Sequence, residues 1–306
     1  MGSLGGGPSL LLALLIFISS VSLSLSTSSW IVRTLPGFDG PLPFHLETGY
    51  IRVDEERDAQ LFYYFIKSER SPDEDPLLVW MSGGPGCSVI SGVAFEIGPL
   101  RFDVKEYKGE LLTLVLHPYS WTKVSNILFI DTPIGTGFSF ARGSEVYYGG
   151  DVKSTKQVAK FIRKWLDDHP QFFSNPLYIG GDSYSGKISP IITLEIVKGN
   201  PSGKQPLLNL KGYVAGNPFT DAKFDDNSFV PYSFGMGLIS EELYGFMLSN
   251  YWANNDTVRE ALHIQMDTVE EWVRCDFDVP YVQDIPSSIP YHHILTTGGF
   301  RALVYR

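Results

Sequence analysis

Along the chain, short continuous apolar runs alternate with polar and glycine-rich connections, and one long stretch carries its apolar residues at helical spacing. Tyr50 to Val53 and Gln60 to Ile66, rich in β-branched and aromatic residues, flank the polar Asp54 to Arg57 and predict a hairpin. Leu77-Leu78-Val79-Trp80-Met81, Ile127 to Asp131, Pro176 to Gly180 and Leu210 to Gly216 are runs of the kind that form buried strands. Arg301 to Tyr305 reads as a last strand. Val158, Phe161, Ile162 and Trp165 recur at helical spacing, and His169-Pro170 stops that helix. A second helical stretch runs from Lys187 to Lys198, and Asp256 to His263 predicts a short third helix with Thr257 and Glu260 placed as a capping box. Strands alternating with helices predict a largely parallel α/β sheet.

Two of the connections carry candidate chemistry. The strand at Pro176 to Gly180 runs through Gly181-Asp182-Ser183-Tyr184-Ser185-Gly186 straight into a helix. Strand, tight turn of small residues, helix is the setting of a nucleophile elbow, which holds its serine in strained backbone at the carboxyl edge of a sheet. Glycine at 181 and small residues at 185 and 186 let strand and helix pass closely. The strand at Leu77 to Met81 empties into Ser82-Gly83-Gly84-Pro85-Gly86-Cys87, whose glycines let backbone N–H groups face a ligand, as an oxyanion hole beside the serine requires. A phosphate loop competes for the first stretch, because Gly181, Gly186 and Lys187 have its spacing, but Ile188 has no oxygen to offer a magnesium ion. An ordinary strand-to-helix turn is the plainest alternative.

Composition narrows the class. The 306 residues are 43% hydrophobic and 14% aromatic, enough for a sizeable core, and the net charge of −10 without any run of Lys and Arg argues against a nucleic-acid surface. Residues 1–28 read as a secretory signal, since the apolar core from Leu10 to Ile18 is too short to span a bilayer and small residues follow it. The mature domain is then 29–306, entering the secretory pathway with an extracellular or vacuolar destination and no stable anchor. In that oxidising setting Cys87 and Cys275 are candidates for a single bridge, with two buried thiols as the alternative. Asn255-Asp256-Thr257 is a glycosylation sequon.

Taken together, the glycine-proline loop, the Asp131-x-Pro133-x-Gly135 stretch and the elbow resemble the plant serine carboxypeptidase-like proteins, which have the α/β-hydrolase fold. The resemblance extends over Leu35 to Tyr50, Leu77 to Cys87, Asn126 to Phe140, Leu177 to Ser189, Leu210 to Asp221 and Trp252 to Ile264. It implies Ser183 as nucleophile, the N–H groups of Gly84 and Tyr184 as oxyanion donors, and Asp182, Ser82 and Gly83 as substrate-binding positions. Peptidase members have Glu before the serine and Asn before the glycine pair, together gripping the substrate's terminal carboxylate. Asp182 and Ser82 at those places resemble instead the branch that transfers acyl groups from glucose esters. The implied partner is a small ester or a peptide, with no cofactor and no metal.

The family order places an acid and then a histidine after the strand that matches Ala302 to Tyr305, beyond Arg306, so the resemblance implies a fold incomplete at that end and a chain of weak or no activity. An abrupt join near Ser249-Asn250-Tyr251 implies a shortened lid. His263, His292 and His293 follow the elbow but precede the last strand, and His292 and His293, if extended, point to opposite faces. None is placed as the fold places its base. A catalytically dead binding or regulatory relative is therefore the alternative reading.

Overall fold

The computed structural model describes residues 28–104, 109–143, 148–221, 224–225, 249, 252–265 and 268–305. The expected signal segment, apart from Ser28, and most of the stretch around the expected join near Ser249 lie outside the described residues. Among them, strand β1 (Ser28–Val32), β2 (Leu46–Asp54) and β3 (Ala59–Ile66) precede β4 (Leu77–Met81), and a small hairpin of β5 (Leu100–Phe102) and β6 (Leu114–Leu116) follows. Next come β7 (Asn126–Ile130), the two-residue β8 (Gly149–Gly150), helix α1 (Asp151–Asp168), β9 (Leu177–Asp182), helix α2 (Ser185–Gly199) and β10 (Leu210–Gly216). Helix α3 (Asp256–Ala261), β11 (Tyr281–Val282), α4 (Ile289–Thr297) and β12 (Arg301–Tyr305) end the series.

The main sheet has eight strands in the order β1-β2-β3-β7-β4-β9-β10-β12. Its first three pairings are antiparallel and the remaining four parallel. This mixed sheet, with helices packed on it, is the architecture expected from the alternating runs. Trp80, Phe129, Tyr64 and Phe62 fill one face, while Val79, Leu128, Phe65 and Trp165 of α1 fill the other. Both clusters exist because strand side chains alternate between faces while β4 and β7 are apolar throughout.

Several elements depart from the sequence expectations. The short helix α3 is capped by Asn255, whose Oδ1 accepts from the Thr257 N–H at 3.1 Å, so Thr257 lies inside the first turn and is not the cap of a box. His292 and His293 lie on helix α4 and not on extended chain. Strand β1 and the β5–β6 hairpin carry no pattern long enough to predict them. The predicted strands at Leu77, Leu210 and Arg301 stand with the same bounds.

Candidate active site

Strand β9 lies in the middle of the sheet between β4 and β10, and its carboxyl end delivers Ser183 into the turn before α2. Ser183 has φ of 54°, the left-handed region that an L-residue enters only under constraint. The constraint is visible. The Ser183 N–H donates to Gly216 O at 2.9 Å, while its carbonyl accepts from Gly186 N at 2.9 Å and Phe219 N at 2.8 Å. The small residues earn their places by contact. A Cβ on Gly181 would lie 2.3 Å from Met81 O, and one on Gly186 would lie 2.2 Å from Pro218 Cβ. The Ser185 hydroxyl donates to Ser82 O at 2.5 Å, fastening the start of α2 to the loop that leaves β4.

That loop meets the serine directly. A Cβ on Gly83 would fall 2.7 Å from Ser183 Oγ and 2.8 Å from Tyr184 N. Gly84 turns away with φ of 107°. Neither Gly84 N–H nor Tyr184 N–H has another hydrogen-bond partner among the described residues. The sequence-predicted set of Ser82, Gly83, Gly84, Asp182, Ser183 and Tyr184 therefore converges on one place, and the Ser183 side chain is exposed there. Unpaired N–H groups on a loop that meets a strained serine are suited to an oxygen that gains negative charge.

The loop is held from behind by two devices. Cys87 and Cys275 form a disulfide. The segment around Cys275 also pairs with the loop, Ser88 N donating to Arg274 O at 2.7 Å and Asp276 N to Gly86 O at 3.0 Å. The second device is Asp131 at the end of β7. Its buried Oδ1 accepts from Ser88 Oγ at 2.9 Å and Val89 N at 2.8 Å, and its Oδ2 accepts from Phe138 N at 3.0 Å. A Cβ on Gly137 would sit 2.1 Å from that Oδ2, so a larger residue there would displace the carboxylate.

Beside the serine stands a cluster that local sequence reading missed. Glu96 accepts from Trp80 Nε1 at 3.0 Å, and burial, with the Asp182 charge next, raises its pKa. Burial raises Asp182 as well, while the Arg274 guanidinium works the other way on both acids. Asp182 Oδ1 and Ser82 Oγ are both enclosed without a hydrogen-bond partner among the described residues. Two signals existed for these residues. Glu96 is the one carboxylate in the apolar run Val93 to Ile97, and Arg274 adjoins a bridging cysteine.

The remaining sequence candidates make their contacts with groups other than Ser183, although His292 neighbours Gly186 at the end of the turn. Lys187 is buried, with Nζ 4.5 Å from the Tyr184 ring centroid and 5.0 Å from that of Phe219. That position is under the turn, so the lysine is not offered to a phosphate. Each histidine contact recorded is to some other group. His292 Nδ1 meets the Tyr213 hydroxyl at 2.5 Å, His263 stacks on Trp30, His169 stacks on Trp165 and reaches Glu47, His117 meets Gly98 O, and His45 lies edge-on to Phe65. His293 is exposed on α4. Asn255 is half-buried, and its Oδ1 serves as the α3 cap. Among the described residues no group of three or more His, Cys, Asp or Glu side chains is arranged to hold a metal ion.

The comparisons with known proteins agree with this geometry. The chain is 45% identical to serine carboxypeptidase-like 3 of Arabidopsis thaliana over 354 aligned positions, covering 97% of this chain and 80% of that one. It is 44% identical to serine carboxypeptidase-like 7 of the same plant, covering 97% of this chain and 79% of that one. Those alignments run longer than the chain itself, so the relatives carry residues that it lacks. Its fold matches the solved Kex1Δp, a prohormone-processing carboxypeptidase of Saccharomyces cerevisiae, with a TM-score of 0.70 at 19% identity over 85% of this chain and 73% of that one. The serine carboxypeptidase family model matches residues 36–251 and 244–306, two stretches that meet where the sequence suggests a join. With the elbow, the glycine loop and the sheet all in register, the chain belongs to the serine carboxypeptidase family.

Proposed function

We propose that the chain carries out acyl chemistry at Ser183, with Gly84 and Tyr184 N–H as the oxyanion donors, and that it favours transfer from an activated ester over release of amino acids from a peptide end. The observation that carries this reading is the convergence of Gly83 and Tyr184 N on Ser183 Oγ, whose residue stands at φ of 54°. In that geometry the hydroxyl attacks an ester or amide carbonyl and gives its proton to solvent or to a base outside the described residues, while the carbonyl oxygen gains charge against the two N–H donors. The bond to the leaving alcohol or amine then breaks as that group takes up a proton, and an alcohol or water cleaves the acyl-serine ester and restores the hydroxyl.

The ester preference follows from charge. Burial raises both Glu96 and Asp182, so the pair keeps its protons to higher pH than free carboxyl groups, and each rise in pH through their titration adds negative charge beside the serine. A peptide's terminal carboxylate is repelled by that charge, except where Arg274 takes it. A neutral polyol such as a sugar carries no charge and meets no such penalty. Entry into the secretory pathway, with an extracellular or vacuolar destination, belongs to the same proposal. It rests on the apolar stretch Leu10 to Ile18 and the Cys87–Cys275 bridge.

One observation favours a second reading, a binding or regulatory relative without turnover: no histidine contact recorded in the structure reaches Ser183. Incubation with a fluorophosphonate probe separates the two. Labelling that disappears in Ser183→Ala supports the enzyme, and its absence supports the binder. With labelling established, faster release of C-terminal amino acids than of acyl groups from a glucose ester would overturn the preference.

A further inference from the structure

The chain is strongly acidic, yet one cavity of about 730 Å³ reverses that sign. It opens between the second half of α1, the end of α2 and the turn that follows α2. Lys156, Lys160, Arg163, Lys164 and Lys204 line it, against two carboxylates, Asp167 and Glu195. The surplus of cations survives the local pairing. Lys160 and Lys164 share the single carboxylate of Glu55, at 2.7 Å and 2.9 Å, and Lys204 takes Glu195 at 2.9 Å. Lys156 has no ion-pair partner among the described residues.

Arg163 makes the site more than a solvated lysine face. It is only 8% exposed, and its guanidinium donates to three neutral oxygens: Lys204 O at 3.0 Å, Pro206 O, and Asn200 Oδ1 at 3.2 Å. These bonds fix its plane at the wall of the cavity without neutralising its charge. A buried cation without a bonded counter-ion is costly, and an anion that fills the cavity relieves that cost. The field is felt by its neighbours. Hydrogen bonds from Lys160 and Lys164 hold the exposed Glu55 carboxyl down at about 2. Lys160 and Lys164 are themselves anchored to backbone, donating to Val53 O at 3.0 Å and Arg52 O at 2.9 Å, so their ammonium groups are pre-placed.

We propose that this cavity is a binding site for a multiply charged, phosphate-bearing anion. Its size far exceeds a single small ion, and its several separated cations match several anionic groups on one frame. The position suits tethering. Ser183 precedes α2 and Lys204 follows it, so the 15-residue helix puts the two sites about 20 Å apart. An anion held here leaves the mouth of the serine site open.

The test uses the whole chain and two sources of phosphate. Isothermal titration with myo-inositol hexakisphosphate at low salt is expected to show binding that weakens steeply as salt is added. Flotation with phosphatidylcholine vesicles, with and without a phosphoinositide, asks whether a lipid headgroup serves as well. Binding in either arm supports the site and names its source, and binding in neither overturns it. The exposed pair Lys156→Glu and Lys204→Glu, together, is expected to weaken binding by roughly tenfold or more while leaving thermal unfolding nearly unchanged. Undiminished binding by that double variant would place the anion elsewhere and overturn the assignment. Ser183→Ala is expected to bind as the parent does, which separates this result from the fate of the proposed chemistry.

Discussion

Asp131 offers a test of how the glycine loop is held. It is completely buried, and three donors converge on it: the Ser88 hydroxyl, the Val89 N–H and the Phe138 N–H. Burial outweighs those donors and lifts its pKa from 3.8 to about 6. The direction has a definite consequence for stability. An acid with a raised folded-state pKa is more favourable in the fold while protonated. That contribution is complete below 3.8 and is lost as pH rises through about 6. A shift of about two units corresponds to about 3 kcal/mol. Asp131→Asn cannot ionise, so it lacks this pH dependence. At fixed pH it carries a different cost. With its oxygen taking the Ser88 and Val89 donors, its NH₂ must face the Phe138 N–H, which costs about 1–3 kcal/mol. Urea midpoints for the two proteins, measured from about pH 4 to about pH 7, separate these effects. The stability of the parent relative to Asp131→Asn is expected to fall by about 2 kcal/mol across that range, most of the full shift. A difference that stays flat, or that grows with pH, would show that the three donors win over burial, and the account of this latch would be wrong.

Gly83→Ala places a methyl 2.5 Å from Ser183 Cβ, so the loop must retreat by about 1 Å, at about 1–3 kcal/mol in stability and on the order of 10²-fold in probe labelling. Labelling at the parent rate would mean that the loop does not meet the serine. Replacing Cys87 and Cys275 by serine opens a loop of 188 residues and is expected to lower stability by about 5 kcal/mol in the chain-entropy model, read as a lower urea midpoint. Peptide mapping of the parent without reductant should recover the two cysteines in one fragment, and two alkylatable thiols would contradict the bridge.

The sequence by itself determined what depends on near neighbours. Leu77 to Met81 is apolar at every position, so it is a strand covered on both faces wherever it lies. Val158, Phe161, Ile162 and Trp165 commit α1 to one buried face, and His169-Pro170 ends it. The run of small residues from Gly181 to Gly186 specifies a sharp turn because larger side chains would strike Met81 and Pro218. The weaker elements were not legible for the same reason. Ile289 to Thr297 has apolar and polar residues on all sides, and α4 forms because it packs on α2 and β12. Asn255, read from its sequon, turned out to be a cap because its side chain reaches the next turn. Only the tertiary structure decided which residues surround Ser183. Glu96 and Arg274 lie far from Asp182 along the chain, and no local period relates them. Folding brings them together through β4, the Cys87–Cys275 bridge and the segment paired with it. Charge acts through space, so the raised pKa values of Glu96 and Asp182, and the Arg274 charge that opposes the rise, exist only once the sheet has assembled.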